Sequence, residues 1–133
     1  MTLMEISPIL LLIGRVLFGG LFLYNGINHF TSRAAMVGYA QFKGVPAASA
    51  SILASGAWLL IAGATIITGF HAGIGLLMAA LFLAVVTPKM HDYWRAADAN
   101  ARMADFVNFQ KNMALLGAAL MLLALPRPWP YSL

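Results

Sequence analysis

From Ala47 to Phe70 the chain runs 24 residues without a charged side chain. A helix rises 1.5 Å per residue, so about 20 apolar residues cross the hydrocarbon core of a bilayer. Three further apolar runs of comparable character surround this one. With 62% hydrophobic and only 9% charged residues, and a mean hydropathy of +0.84, the chain has too little polar surface to cover a water-soluble globule. The pattern predicts one all-α domain, an integral membrane four-helix bundle, with spans at about 8–30, 47–70, 72–90 and 106–125 of the 133 residues.

The formal charge of +4 and the pI near 9.9 have a lipid explanation. The basic residues border apolar spans, where Lys and Arg fix orientation and meet anionic headgroups, so no nucleic-acid partner is expected. The absence of cysteine excludes an internal disulfide, a dithiol shuttle and covalent haem. The first residues carry Glu5 and no basic region, and no small-x-small cleavage pattern follows, so the first apolar run reads as a retained span rather than a cleaved leader.

In the first span Ser7 and Pro8 suit a helix start. Arg15 interrupts the apolar run roughly 10 Å further along the helix. That depth lets it snorkel to the interface, and an ion pair, a lipid headgroup or a ligand are the alternatives. At the other end Asn25, Asn28 and His29 fall at i, i+3 and i+4 and share one face. They serve either as an interfacial cap or as a site for a polar ring or headgroup. Thr31 to Pro46 reads as a connection. In the second span Ser51, Ser55, Ala62 and Gly63 offer small residues for helix packing, and Trp58 reads as core. A tight turn at Gly69–Gly73 makes spans two and three a hairpin, with His71 solvated at its tip.

The longest polar interval is Thr87–Asn112, which holds four of the eight basic and three of the four acidic residues. Asp92, Arg95, Asp98, Arg102 and Asp105 alternate in sign at helical spacing, the pattern of an amphipathic segment with a solvated face leading into the fourth span. At the mouth of that span Asn108, Lys111 and Asn112 repeat the spacing of Asn25, Asn28 and His29. Alternating directions put Arg33, Lys43, Lys89, Arg95, Arg102 and Lys111 on one side, which the positive-inside rule makes cytoplasmic, with both termini outside.

Four segments carry a resemblance: GRVLFGGLFLYNGINHF, GAWLLIAGATIITG, HDYW and, above all, NFQKNMALLGAALMLLA. With these the chain resembles the DoxX family of small four-span membrane proteins over essentially its whole length. The resemblance implies a bundle in the cytoplasmic (inner) membrane of bacteria or archaea, acting as a subunit or accessory of membrane oxidoreductases, with founding members linked to quinone reduction, sulfur-compound oxidation and oxidative-stress defence. It matches Arg15, Asn28, His29, His91, Trp94, Lys111 and Asn112 to recurring positions. Where many relatives carry a glutamate in the middle of the second span, this chain has AWLLIAG around Trp58 and Leu59. A proton relay through that glutamate is therefore not expected.

Two functions from different classes follow. In the first, Asn28, His29, His91, Trp94, Lys111 and Asn112, with Arg15, bind a quinone or similar headgroup near the cytoplasmic interface, no cofactor being covalent. The protein is then not catalytic on its own but a quinone-linked oxidoreductase subunit. Quinone carbonyls need donors of the His, Asn and Lys kinds. In the second, the same groups cap helices in a non-catalytic structural, assembly or interaction subunit, whose partners are membrane lipids and other membrane proteins or further copies of the chain. A transporter, a bis-histidine haem and a zinc site from His29, His91 and Asp92 rank below both.

Overall fold

The computed structural model describes residues 2–133, and among them every regular element is helical. Five α-helices follow in order: α1 (Leu3–Thr31), α2 (Arg33–Phe42), α3 (Ala48–Thr68), α4 (Ala72–Met90) and α5 (Ala99–Leu123), with a 3₁₀ turn at Tyr93–Arg95 before α5. Helices α1, α3, α4 and α5 are long and apolar enough to cross a membrane. The four expected spans are therefore present, and α2 is an additional short helix where a plain connection was expected.

Helix α1 begins one and a half turns before Pro8. The Glu5 carboxylate accepts the Thr2 N–H at 2.7 Å, which caps the start. Proline removes one ladder donor, but the Ser7 hydroxyl donates instead to the Met4 carbonyl at 3.3 Å, so the helix continues through Pro8. The polar segment after α4 is not a separate helix. It passes through the 3₁₀ turn, and Asp98 then caps α5 by accepting the Ala101 N–H at 2.8 Å. The alternating-sign residues from Ala99 onward are the first turns of α5 itself, which starts earlier than the hydropathy pattern indicates.

Glycine makes the tightest seam, between α1 and α3. A Cβ on Gly63 would lie 2.6 Å from the Leu23 nitrogen and 2.7 Å from the Gly19 carbonyl oxygen, and one on Gly26 would lie 2.8 Å from the Leu60 nitrogen. Only bare backbones pack this closely, as expected in lipid, where association depends on contact rather than on water exclusion. Next in the row, α3 packs on α4 through the short turn, where Gly69 takes φ +79° and donates its N–H to the Thr65 carbonyl. Helix α4 then packs on α5. Phe22, Leu59, Ile66, Leu76, Ala79 and Leu83 fill the centre, with Trp129 of the C-terminal tail. Trp58 is not core. It lies partly exposed on the outer surface, and its indole N–H donates to the Met78 carbonyl at 2.8 Å, tying α3 to α4.

This up-and-down order gathers the end of α1, all of α2, the start of α3, the end of α4 and the start of α5 at one face. The start of α1, the C-terminal tail and the Gly69–His71 turn lie at the other.

Candidate ligand site at one membrane face

At the face holding α2, a cavity of about 620 Å³ opens between the helices, within the roughly 300–1,000 Å³ common to small-molecule sites. Phe22, Leu59, Phe82, Leu83 and Leu115 make its inner walls apolar. Asn25, Asn28, His29, Ser55, His91, Lys111 and Asn112 make its outer end polar. Five of the seven predicted site residues, Asn28, His29, His91, Lys111 and Asn112, thus meet at one cavity from three different parts of the chain.

His29 reaches it because α3 offers Gly56, where a Cβ would lie 2.8 Å from the His29 Cβ. With the helices this close, His29 Nδ1 lies 3.1 Å from the Ile52 carbonyl oxygen and 3.0 Å from Ser55 Oγ, while the side chain is buried. The tilted ring of Phe82 lies 6.4 Å from it, centroid to centroid. On α5, Lys111 donates to Asn108 Oδ1 at 3.0 Å, and Asn108 donates to the Ala104 carbonyl, so Asn108 supports Lys111 rather than lining the cavity.

Behind His91 stands an ion network that overturns the expectation of a fully solvated charge face. Lys43 donates to Asp92 at 2.6 Å and to Asp105 at 2.9 Å, with side chains only 10%, 18% and 12% exposed. Asp105 also accepts from His91 Nδ1 and from the Tyr39 hydroxyl, each at 3.4 Å. The tyrosine donates in addition to the Met90 carbonyl. Burial alone would lower the Lys43 pKa, but the hydrogen bonds to Asp92 and Asp105 outweigh it and hold the ammonium well above the usual lysine range. Burial, then the Asp105 charge, raises the Tyr39 phenol. Arg95 and Arg102 of the same alternating run remain exposed, as expected of a solvated face. The periodicity of that run does not distinguish its acids. The available signal is position: Asp105 is the last acid before the apolar part of α5, and Lys43 closes the only other long polar interval on that side.

Two predicted site residues lie elsewhere. Trp94 is half exposed and packs by its edge in an aromatic group with Tyr93 and Phe109, outside the cavity. Arg15 lies at the opposite end and does not snorkel. It is 1% exposed, and its guanidinium donates to the carbonyls of Ile66 (3.3 Å), Ile67 (2.7 Å), Pro130 (2.7 Å) and Tyr131 (3.2 Å). Four carbonyls stand in for a counter-ion, with the Trp129 ring 5.7 Å from the guanidinium carbon. Arg15 thereby holds the C-terminal tail against α1 and α3. Nor do His29, His91 and Asp92 form a metal-ligand group, since Asp92 turns to Lys43 and His91 Nδ1 to Asp105.

Four apolar spans, a buried charged network and a polar-mouthed cavity at one face define a multi-pass membrane protein with a candidate site at one end of its bundle. The family model described as DoxX matches residues 10–92, well over half of the chain, and the chain belongs to the DoxX family. The match covers α1 to α4 and ends just past His91, so the fourth-span segment, which carried the sequence resemblance most strongly, lies beyond it. No curated protein matches the chain, and no solved structure does.

Proposed function

We propose that this protein is a membrane subunit or accessory of an oxidoreductase system that holds the ring of a quinone in the cavity, at the cytoplasmic face of the inner membrane. The observation that carries the reading is the combination of apolar inner walls with a polar mouth where His29 and His91 each have Nδ1 committed to the protein and Nε2 without a partner among the described residues. An isoprenoid tail suits the walls and a ring with oxygen substituents suits the mouth. A quinone would supply two-electron, two-proton chemistry. The chain's own residues would bind and orient it: Lys111 and Asn112 from α5, Asn28 from α1, and His91 through the Nε2 that its Nδ1–Asp105 contact leaves free. The resemblance to proteins linked with quinone reduction supports the same assignment. The excess of Lys and Arg at this face supports its cytoplasmic placement, with both termini outside.

The test is purification in a mild detergent, organic extraction and mass spectrometry of quinones, lipids and co-purifying proteins. A quinone retained near one per chain, and lost in His91→Ala, is the expected result. Recovery of a phospholipid alone, unchanged by that substitution, would replace the quinone with a lipid headgroup. A stable larger complex without any bound small molecule would favour the structural-subunit reading, for which the exposed Trp94 offers a contact surface.

A further inference from the structure

The hydrogen bonding of His29 carries information about the redox form of the ligand, an inference that rests on the quinone reading above. A neutral imidazole has one N–H and one bare nitrogen, and the partner of the first decides what the second presents. His29 Nδ1 lies 3.1 Å from the Ile52 carbonyl oxygen. A carbonyl oxygen only accepts, so this contact is favourable when Nδ1 carries the proton and sets two lone pairs against each other when it does not. Ser55 Oγ, 3.0 Å from Nδ1, also lies 3.1 Å from the same Ile52 oxygen. Its hydroxyl can donate to that carbonyl and accept from Nδ1 without conflict. For Ser55 to donate to a bare Nδ1 instead, Ile52 would lose both of its side-chain donors.

Nδ1 is therefore the protonated nitrogen, and Nε2 offers a lone pair. Nε2 has no hydrogen-bond partner among the described residues and is not among the atoms sealed from the surface, while His29 lines the cavity. We propose that His29 presents a fixed hydrogen-bond acceptor to the cavity and thereby selects the hydroxyl-bearing quinol over the carbonyl-bearing quinone. A quinol O–H donates to Nε2. A quinone carbonyl at the same place meets lone pair with lone pair, or forces the tautomer that breaks the Ile52 contact. Of the other polar groups at the mouth, His91 presents an acceptor of the same kind while it is neutral, because its Nδ1 faces the Asp105 carboxylate; the rest do not discriminate in this way. Asn25, Asn28 and Asn112 each carry a donor and an acceptor, and Lys111 donates to either form.

Binding of decylbenzoquinone and of its dithionite-reduced quinol, measured anaerobically by equilibrium dialysis against protein in lipid nanodiscs with empty nanodiscs as reference, tests this. The wild-type protein is expected to favour the quinol about tenfold, the order set by one hydrogen bond left unmade in a buried site. In His29→Asn, which removes the Nε2 position, the ratio falls several-fold with quinone affinity retained, and any preference that remains is the share of His91, removed by adding His91→Asn. In Ser55→Ala, which removes the only group able to support the other tautomer, the preference is kept or increased. Selective ¹⁵N labelling of histidine gives a reading without ligand, with Nδ1 protonated and Nε2 bare expected for His29. Equal binding of the two forms by the wild type, or an Nε2–H tautomer, overturns the inference and leaves the quinone reading standing. Binding of neither form overturns both.

Discussion

The two ends of the bundle each bury charge, in opposite ways. At the tail end Arg15 has four of its five guanidinium N–H donors committed to backbone carbonyls and lies beside a tryptophan ring, 1% exposed and so out of reach of a ligand. At the α2 end Lys43, Asp92, Asp105 and His91 are tied to one another, yet the network borders a cavity into which unpartnered nitrogen atoms open. A buried charge is costly in either place. The comparison shows that burial and charge do not by themselves mark a site in a membrane protein. What separates the two charged clusters is whether hydrogen-bonding atoms beside them open into a cavity, as at His29 and His91, or are sealed with the charge, as at Arg15 and Trp129.

The most damaging way to break that contrast is to remove the charge from the sealed end. Arg15→Met leaves the carbonyls of Pro130 and Tyr131 without their donor and the tail without its clamp. A loss of about 3 kcal/mol or more is expected, since hydrogen bonds to charged groups contribute roughly 1.5–3 kcal/mol each and are not additive. Thermal unfolding in detergent should show it, together with a change in Trp129 emission and faster proteolysis of the tail. Arg15→Lys keeps the charge but not the fork of donors, and should recover only part of the loss. Stability unchanged in Arg15→Met would mean that the tail does not depend on this contact.

The seam that sets the distance between α1 and α3 comes next. Gly63→Ala drives a methyl into two backbone atoms of α1, Leu23 N and Gly19 O, neither of which can rotate away. The expected cost is about 2 kcal/mol, in the range for overpacking. Because the same seam carries His29 to Ile52, ligand retention should fall with it. Gly14→Ala is the matched control on α1, with nothing within 4 Å of the added methyl. It should be neutral or slightly stabilising through helix propensity.

At the open end, Lys43→Met leaves Asp92 and Asp105 sharing a half-enclosed space without their common cation. A cost of about 1–2 kcal/mol is expected, less than for a fully sealed pair because the side chains keep some contact with solvent. The pH dependence has a definite sign. The folded-state pKa of Lys43 is raised, so its contribution is present in full below the ordinary lysine value of about 10.4 and is lost only as pH rises through the higher folded value. Melting curves of wild type and Lys43→Met should therefore stay parallel from about pH 6 to about pH 9. A gap that closes within that interval would mean that Lys43 does not hold its proton as this geometry requires.

Spans α1, α3, α4 and the apolar part of α5 are legible in the sequence because crossing hydrocarbon demands a length and composition that nothing else in the chain imitates. The meeting of Asn28 and His29 with His91, Lys111 and Asn112 is legible for a related reason: alternating span directions force their ends to one face. The Lys43 network and the role of Arg15 are not. Both depend on how far side chains reach across helices, and a periodic run such as Asp92 to Asp105 does not say which acids a distant lysine will claim. Helix α2 is obscured as well, since Arg33–Phe42 is too short and too mixed to stand out from a loop. Trp94 shows the same limit from the other direction. One residue of the HDYW element, His91, turns into the cavity, while Trp94 is carried out of it by the 3₁₀ turn.

Trp94→Ala is accordingly the smallest of the expected effects and the one that sharpens the boundary of the site. Trp94 is 53% exposed, and its protein contacts are edge-on to Tyr93 and Phe109. Stability should change by no more than about 0.5 kcal/mol, as at other surface positions, and retention of any extracted quinone or lipid should match the wild type. What the substitution should alter is depth: an indole at the interface anchors the end of α4 among the headgroups, so its loss should shorten retention in bilayers rather than weaken the cavity. A loss of bound small molecule in Trp94→Ala comparable to that in His91→Ala would extend the proposed site to the outer aromatic group and erase the distinction between the cavity and a surface that meets the membrane.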